Sequence, residues 1–182
     1  WPRRWAIDDF GTFSGMTAVH EAAATGNVQE LVRLMDAGAD VNIKALGENS
    51  GKTAAMLAAG AGHADILRAL QRGPSLLNLA TEDGGTPAMS AAVHGHDDVL
   101  KVLIEKGVAL DSKDEDGWTA LHFAAANNNL TAVNALLAAG VDPAVKTNDG
   151  ETAYDLAHTR KNADAVIAAL NPTAPLATVT EV

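Results

Sequence analysis

With 182 residues, 47% of them hydrophobic and 20% charged, the chain has the composition of a folded domain or short repeat array, not of a disordered segment. Thirteen Lys and Arg against twenty-three Asp and Glu leave a formal charge of −10, which disfavours a surface that tracks nucleic-acid phosphates. Cysteine is absent, which excludes disulfides, thiolate metal sites and cysteine nucleophiles, and no apolar run approaches the roughly 18 uncharged residues of a spanning helix. Aromatics are only 4%, so the core must be built from Ala, Leu, Val, Ile and Met. A thiol-free chain is indifferent to redox, so cytoplasm and bacterial periplasm both fit, and a first residue Trp1 reads as a processed or truncated form.

The chain opens on Trp1-Pro2-Arg3-Arg4-Trp5, two of its three tryptophans and two arginines in five residues, followed by Phe10 and Phe13. This segment reads either as a cap folded over the first helices or as a segment docking onto a partner or membrane surface; alone it is too short for a stable amphipathic anchor. From residue 15 a repeat sets in. Thr17, Thr53, Thr86, Thr119 and Thr152 each follow a Gly-containing turn, at intervals of 36, 33, 33 and 33 residues. Each opens an Ala-rich stretch, at 18–24, 54–59, 87–92, 120–126 and 153–157, where a threonine hydroxyl can accept from an orphaned helix N–H. Pro87 takes the first helical position of the third stretch, where a missing N–H costs nothing.

A second helix is predicted behind each one. Val28, Leu31, Leu34 and Met35 share one face of a 3.6-residue period, as do Leu100, Leu103 and Ile104, and Val133, Leu136 and Leu137. Gly26, Gly62 and Gly95 end the first helices, and Gly38, Gly73, Gly107 and Gly140 the second. No single pair buries enough surface to fold alone, so neighbours must stack. The pattern predicts an all-α solenoid with repeats at about 15–50, 51–83, 84–116, 117–149 and 150–170, an N-terminal extension at 1–14 and a tail at 171–182. The last residues, Thr180-Glu181-Val182, match a C-terminal peptide that adds to a sheet edge, on three residues only.

Gly117-Trp118-Thr119-Ala120-Leu121-His122-Phe123-Ala124-Ala125 resembles the opening of an ankyrin repeat, and Gly38-Ala39-Asp40-Val41-Asn42 its closing turn. The resemblance covers about residues 15–170. It implies antiparallel helix pairs, loops that project as β-hairpins, and a concave face that binds protein. It also implies that His20 and His122, three residues after their threonines, make a structural hydrogen bond back to the turn. The sequence departs from the family at Leu57 and Ser90, where histidine or a neighbouring core residue is usual, and at Asn128, in place of a helix-ending glycine. Arg160, Lys161 and Asn162 in the last unit suit a solvent-facing cap.

The 36-residue interval holds Gly47-Glu48-Asn49-Ser50-Gly51-Lys52-Thr53, which has three residues between its glycines where a phosphate-binding loop needs four and lacks a preceding buried strand. The extra length at 45–50 is either a binding insertion or a tolerated one. The six histidines include no i, i+4 pair with a third ligand nearby, so no metal or other cofactor is expected, although His94 and His96 share a helix end. Acidic residues cluster at Asp111, Asp114, Glu115 and Asp116, with Glu82 and Asp83 one repeat earlier and Asp149 and Glu151 one later. On exposed tips they form an acidic stripe that steers basic partners or serves solubility, and no desolvated pair for acid–base chemistry is evident. Trp118 precedes a repeat threonine, a position that faces the groove by the family resemblance; packing against the adjacent hairpin is the alternative. Its counterparts are Met16, Lys52, Gly85 and Glu151.

These readings converge on a non-catalytic module that binds another protein, not nucleic acid, through Met16, Lys52, Glu82, Asp83, His94, Asp114, Asp116, Trp118, Phe123, Asn127 and Asp149. The alternative is an accessory subunit of a larger enzyme complex, docked through Trp1, Arg3, Arg4 and Trp5.

Overall fold

The computed structural model describes residues 15–47, 51–70, 77–161 and 163–171. The expectations for the N-terminal segment, the tail beyond Asn171, Gly73, Asn162 and residues 48–50 of the 45–50 insertion therefore lie outside the described residues. Helices run in pairs: α1 (Ala18–Thr25) and α2 (Val28–Asp36), α3 (Ala54–Ala61) and α4 (Ala64–Ala69), α5 (Pro87–His94) and α6 (Asp97–Glu105), α7 (Ala120–Ala126) and α8 (Leu130–Ala138), α9 (Ala153–His158) and α10 (Asp164–Leu170). Each odd-numbered inner helix packs on the next inner helix, each even-numbered outer helix on the next outer one, and every pair on itself. This is the predicted α-solenoid.

Its two layers are built from different residues. Inner helices are rich in buried alanine, Ala22, Ala23, Ala58, Ala59, Ala91, Ala92, Ala124 and Ala125, which lets their backbones approach closely, with Val19, Met56, Met89 and Leu121 among the larger buried side chains they carry. Outer helices supply most of the volume: Leu31, Ile66, Leu67, Leu100, Leu103 and Leu136 are large, fully buried aliphatic side chains, and Leu121 is their counterpart on an inner helix. Truncating one to Ala removes both its transfer energy and its packing partners, a cost of roughly 2–5 kcal/mol.

The five threonines start the inner helices from extended backbone. The Oγ1 atoms of Thr53, Thr86 and Thr152 accept from the N–H of Met56, Met89 and Asp155. Thr17 and Thr119 add a histidine clamp. The Thr17 N–H donates to His20 Nδ1 at 3.0 Å, which places the ring proton on Nε2, and Nε2 donates to the Ile43 carbonyl at 2.9 Å. His122 repeats this with Thr119 and the Val145 carbonyl, at 3.1 and 3.1 Å. Each buried ring thus ties a helix start to the base of the following loop. The register puts Met56 and Met89, not Leu57 and Ser90, opposite these histidines; Leu57 and Ser90 stand one residue on, opposite Phe123. Asp155 takes the slot in the fifth repeat and accepts from Thr152 through Oδ2.

A second pair of histidines joins successive repeats. His63 and His96 begin the outer helices and donate from Nε2 to the Ala24 and Gly60 carbonyls of the preceding repeat, both at 3.0 Å. Their rings lie against the helix-ending glycines: a Cβ on Gly26 would sit 2.7 Å from His63 and one on Gly62 2.9 Å from His96. Gly62 also has φ of +81°, so it is held to glycine twice over. Asn128 adopts φ of +55° at the corresponding place, within the left-handed range that Asn tolerates.

The loops before each inner helix close as tight turns: Thr81 N–H to Gly85 O, Asp114 to Trp118, Thr147 to Glu151, and Ala45 to Lys52 around the insertion. The projecting loops are less sheet-like than the family resemblance implied. Among the described residues the sole β-bridge joins Lys146 to Thr152. Neighbouring tips are instead joined by single backbone bonds, Glu115 N–H to Asp83 O and Asn148 N–H to Asp116 O, both 2.9 Å.

Gly38 shares the left-handed backbone of Gly62, with φ of +88°, but has open space at its Cβ position, so Gly38→Ala should cost about 1 kcal/mol for the conformation alone. Gly62→Ala should cost clearly more in urea unfolding, and the excess should shrink in a His96→Ala background; equal costs at the two glycines would reject the clash.

Burial holds the His20 and His122 imidazoles below their ordinary value of 6.5, against the opposing pull of their carbonyl partners. The unfolded chain therefore takes up these protons first. Their contribution is complete above 6.5 and is lost as the pH falls below it toward the lower folded values. Unfolding free energy measured between pH 7.5 and about 5.5 should fall with pH, and less steeply in a His20→Gln, His122→Gln double variant. An unchanged slope would show that these rings do not titrate on unfolding.

Candidate functional site

Three rows of side chains are set by the threonine register. One residue before each threonine come Met16, Lys52, Gly85, Trp118 and Glu151; four after it, Glu21, Leu57, Ser90, Phe123 and Leu156; eight after it, Thr25, Ala61, His94, Asn127 and Arg160. Positions spaced by about four residues share a helix face, and here it is the face turned away from the outer helices. Lys52, Glu21, Thr25, Ala61, His94 and Asn127 are exposed, while Met16, Leu57, Ser90, Trp118 and Phe123 are half-buried.

The third row is anchored to the second. The Thr25 hydroxyl donates to the Glu21 carbonyl, His94 Nδ1 to that of Ser90, and Asn127 Nδ2 to that of Phe123, at 2.7, 2.9 and 2.9 Å. The His94 ring also stacks on His96, with centroids 5.9 Å apart. Such side chains lose less freedom on binding than unanchored ones.

Trp118 is the large aromatic of this face. Its ring packs on Phe123 at 5.0 Å and near His122 at 6.2 Å, both of its own repeat. Its backbone N–H donates to Asp114 Oδ1 at 2.7 Å, and the Asp116 N–H reaches the same oxygen at 3.1 Å. Asp114 thus organises the turn that presents Trp118. Beside the aromatic pair, Gly85 and Ser90 leave the third repeat low on this face, with Lys52 and Leu57 beyond.

Glu82, Asp83, Glu115, Asp116 and Asp149 occupy the tips and are exposed. The Thr81 hydroxyl bonded to Asp83 holds that carboxyl below its ordinary range, so it is ionised at neutral pH. Lys113 Nζ donates to the Lys146 carbonyl at 2.7 Å, which ties a lysine along the flank of the tips. Of the eleven residues singled out in the sequence, Met16, Lys52, His94, Trp118, Phe123 and Asn127 fall on the inner-helix face and Glu82, Asp83, Asp114, Asp116 and Asp149 on the tips.

Sequence reasoning missed Leu57 and Ser90 as members of the face, although an offset of four from each threonine would have found them. It also left His63 and His96 without a role. The register signal was present there too, since both align with Asn27 and Asn129, which cap their outer helices. Among the described residues no three His, Asp or Glu side chains converge as metal ligands. Nor is any described helix long and apolar enough to cross a membrane.

No curated protein matches the chain. The model of the family of ankyrin repeats, in its three-copy form, matches residues 5–78, 73–147 and 108–174. Ankyrin repeats bind other proteins, and the stacked helix pairs, the turn-led inner helices and the matches over nearly the whole length agree: this chain belongs to the ankyrin-repeat family.

Proposed function

We propose that the chain is a non-catalytic binding module that grips a partner protein with its inner-helix face and fingertips. The residues assigned to the contact are Met16, Lys52, Glu82, Asp83, His94, Asp114, Asp116, Trp118, Phe123, Asn127 and Asp149, with Trp118 as the anchor. The observation that carries this reading is the tilted Trp118–Phe123 pair, half-buried and presented to solvent by a turn that Asp114 fixes. A rigid aromatic among polar neighbours is the type of residue that dominates interfaces. The turn also fixes the backbone at Trp118 before any partner arrives, which lowers the ordering cost of association.

The test is capture of a stoichiometric partner from the native source with the full chain. Trp118→Ala should weaken that partner about 30-fold, as expected of an anchor residue. Lys101→Glu, on the exposed flank of an outer helix, should leave capture unchanged. Loss of capture on removing residues 1–14, with Trp118→Ala still binding, would favour instead the accessory subunit docked through Trp1, Arg3, Arg4 and Trp5.

A further inference from the structure

We propose that the step between the third and fourth repeats receives an extended, arginine-bearing segment of the partner, with a guanidinium on the face of Trp118 and paired to the fingertip carboxylates. This rests on the binding-module reading above and adds the chemistry of the partner.

The shape comes first. In the row before each threonine, Gly85 has no side chain between Lys52 and Trp118, and in the next row Ser90 is small between Leu57 and Phe123. A Cβ on Gly85 would lie 2.7 Å from Thr81 Oγ1, the hydroxyl that bonds both the Gly85 carbonyl and Asp83. The low floor of the third repeat is therefore imposed by the turn chemistry of its own finger. One wall is the Trp118–Phe123 pair.

Charge then selects the occupant. Asp83, Asp116 and Asp149 stand at one offset, three residues before their threonines, and the backbone bonds between tips hold the fingers in a row. Glu82 and Glu115 lie beside them. Among the described residues the three ion pairs, Glu30–Arg33, Asp65–Arg68 and Asp98–Lys101, all lie within outer helices, so none neutralises the tips. Lys113 is turned to the Lys146 carbonyl, and Lys52 bounds the step on its far side, where its charge already acts on Asp83 and leaves Asp116 and Asp149 as the tip aspartates open to an incoming cation. A planar guanidinium suits an aromatic face and a carboxylate together better than a lysine ammonium does. The same carboxylates oppose nucleic acid and an anionic lipid surface.

The experiment uses the full chain and three labelled 12-residue probes of repeating Arg-Gly-Ser, Lys-Gly-Ser and Glu-Gly-Ser, read by fluorescence anisotropy and by the NMR shift of the Trp118 indole. The arginine probe should bind and move that indole, the lysine probe should bind about threefold more weakly, and the glutamate probe should not bind. Asp83→Asn with Asp116→Asn should weaken the arginine probe about tenfold, whereas Asp65→Asn with Asp98→Asn removes equal charge from the outer helices and should change it less than about twofold. Trp118→Ala should abolish the preference for arginine over lysine. Equal losses from the two charge pairs, or an unmoved indole, would overturn the proposal as unspecific attraction to an acidic chain. If native capture depends on Trp118 while the probes show no such discrimination, the binding module stands and the cationic occupant falls.

Discussion

The close approach of neighbouring inner helices is the constraint on which the rest of the structure depends. Alanines at the contact leave the backbones near enough for the turns at both ends of the helices to touch those of the next repeat. At one end the Nε2 atoms of His63 and His96 bridge to the carbonyl ends of the preceding inner helices. At the other, backbone bonds tie the fingertips at Asp83, Glu115, Asp116 and Asn148 into a row. A bulky residue in the alanine layer would lengthen both sets of contacts at once. Stability is accordingly a property of interfaces between repeats, and it passes along the stack by nearest neighbours.

That arrangement explains how so small an aromatic content can serve binding. The inner-helix face contributes less to holding the repeats together than the buried alanine rows and outer-helix aliphatics, although Phe123 and Leu156 pack inward. Substitutions at the exposed positions of these rows, such as Glu21 and Lys52, therefore alter what the surface offers without disturbing the stack. The chain uses this freedom unevenly: it places Trp and Phe together on the fourth repeat and Gly and Ser together on the third. The Trp118 backbone is fixed by Asp114, and Asp114 by the turn that Gly117 completes. Position and identity of the anchor are thus set by different residues.

Much of this was legible in the sequence because the controlling features are local and periodic. Threonines at 33-residue spacing, Pro87 and the helix-ending glycines state where helices begin and end through backbone chemistry that needs no tertiary context. Trp118 stood out by its scarcity and its register. What could not be read was which neighbour a side chain reaches. The bonds of His63 and His96 could not be read from spacing, since their carbonyl partners lie 39 and 36 positions away. Trp118 was open between groove and hairpin because that choice turns on a rotamer. The fingers looked like β-hairpins by resemblance, whereas their tips are held by turn bonds and a few bonds to a neighbouring finger, a distinction that spacing does not encode.

The distribution of charge connects packing to recognition. An outer helix exposes long side chains on a regular surface, so Glu30, Asp65 and Asp98 find cations one turn away on the same helix. A tight fingertip offers no such turn: its residues point outward, and its next neighbour in space is another acidic tip. Like charges are brought together there because the backbone bonds between fingers demand it, and the cost is accepted where water screens it best. With a screening length of about 8 Å at physiological ionic strength, the paired outer helices contribute little beyond their own surface. The field felt by an approaching partner is then mainly that of the tips, and the turn of Asp114 joins one of those tips to the aromatic wall of the fourth repeat. Attraction and anchoring are thereby aimed at the same place by one geometric cause, the stacking of fingers over stacked helices.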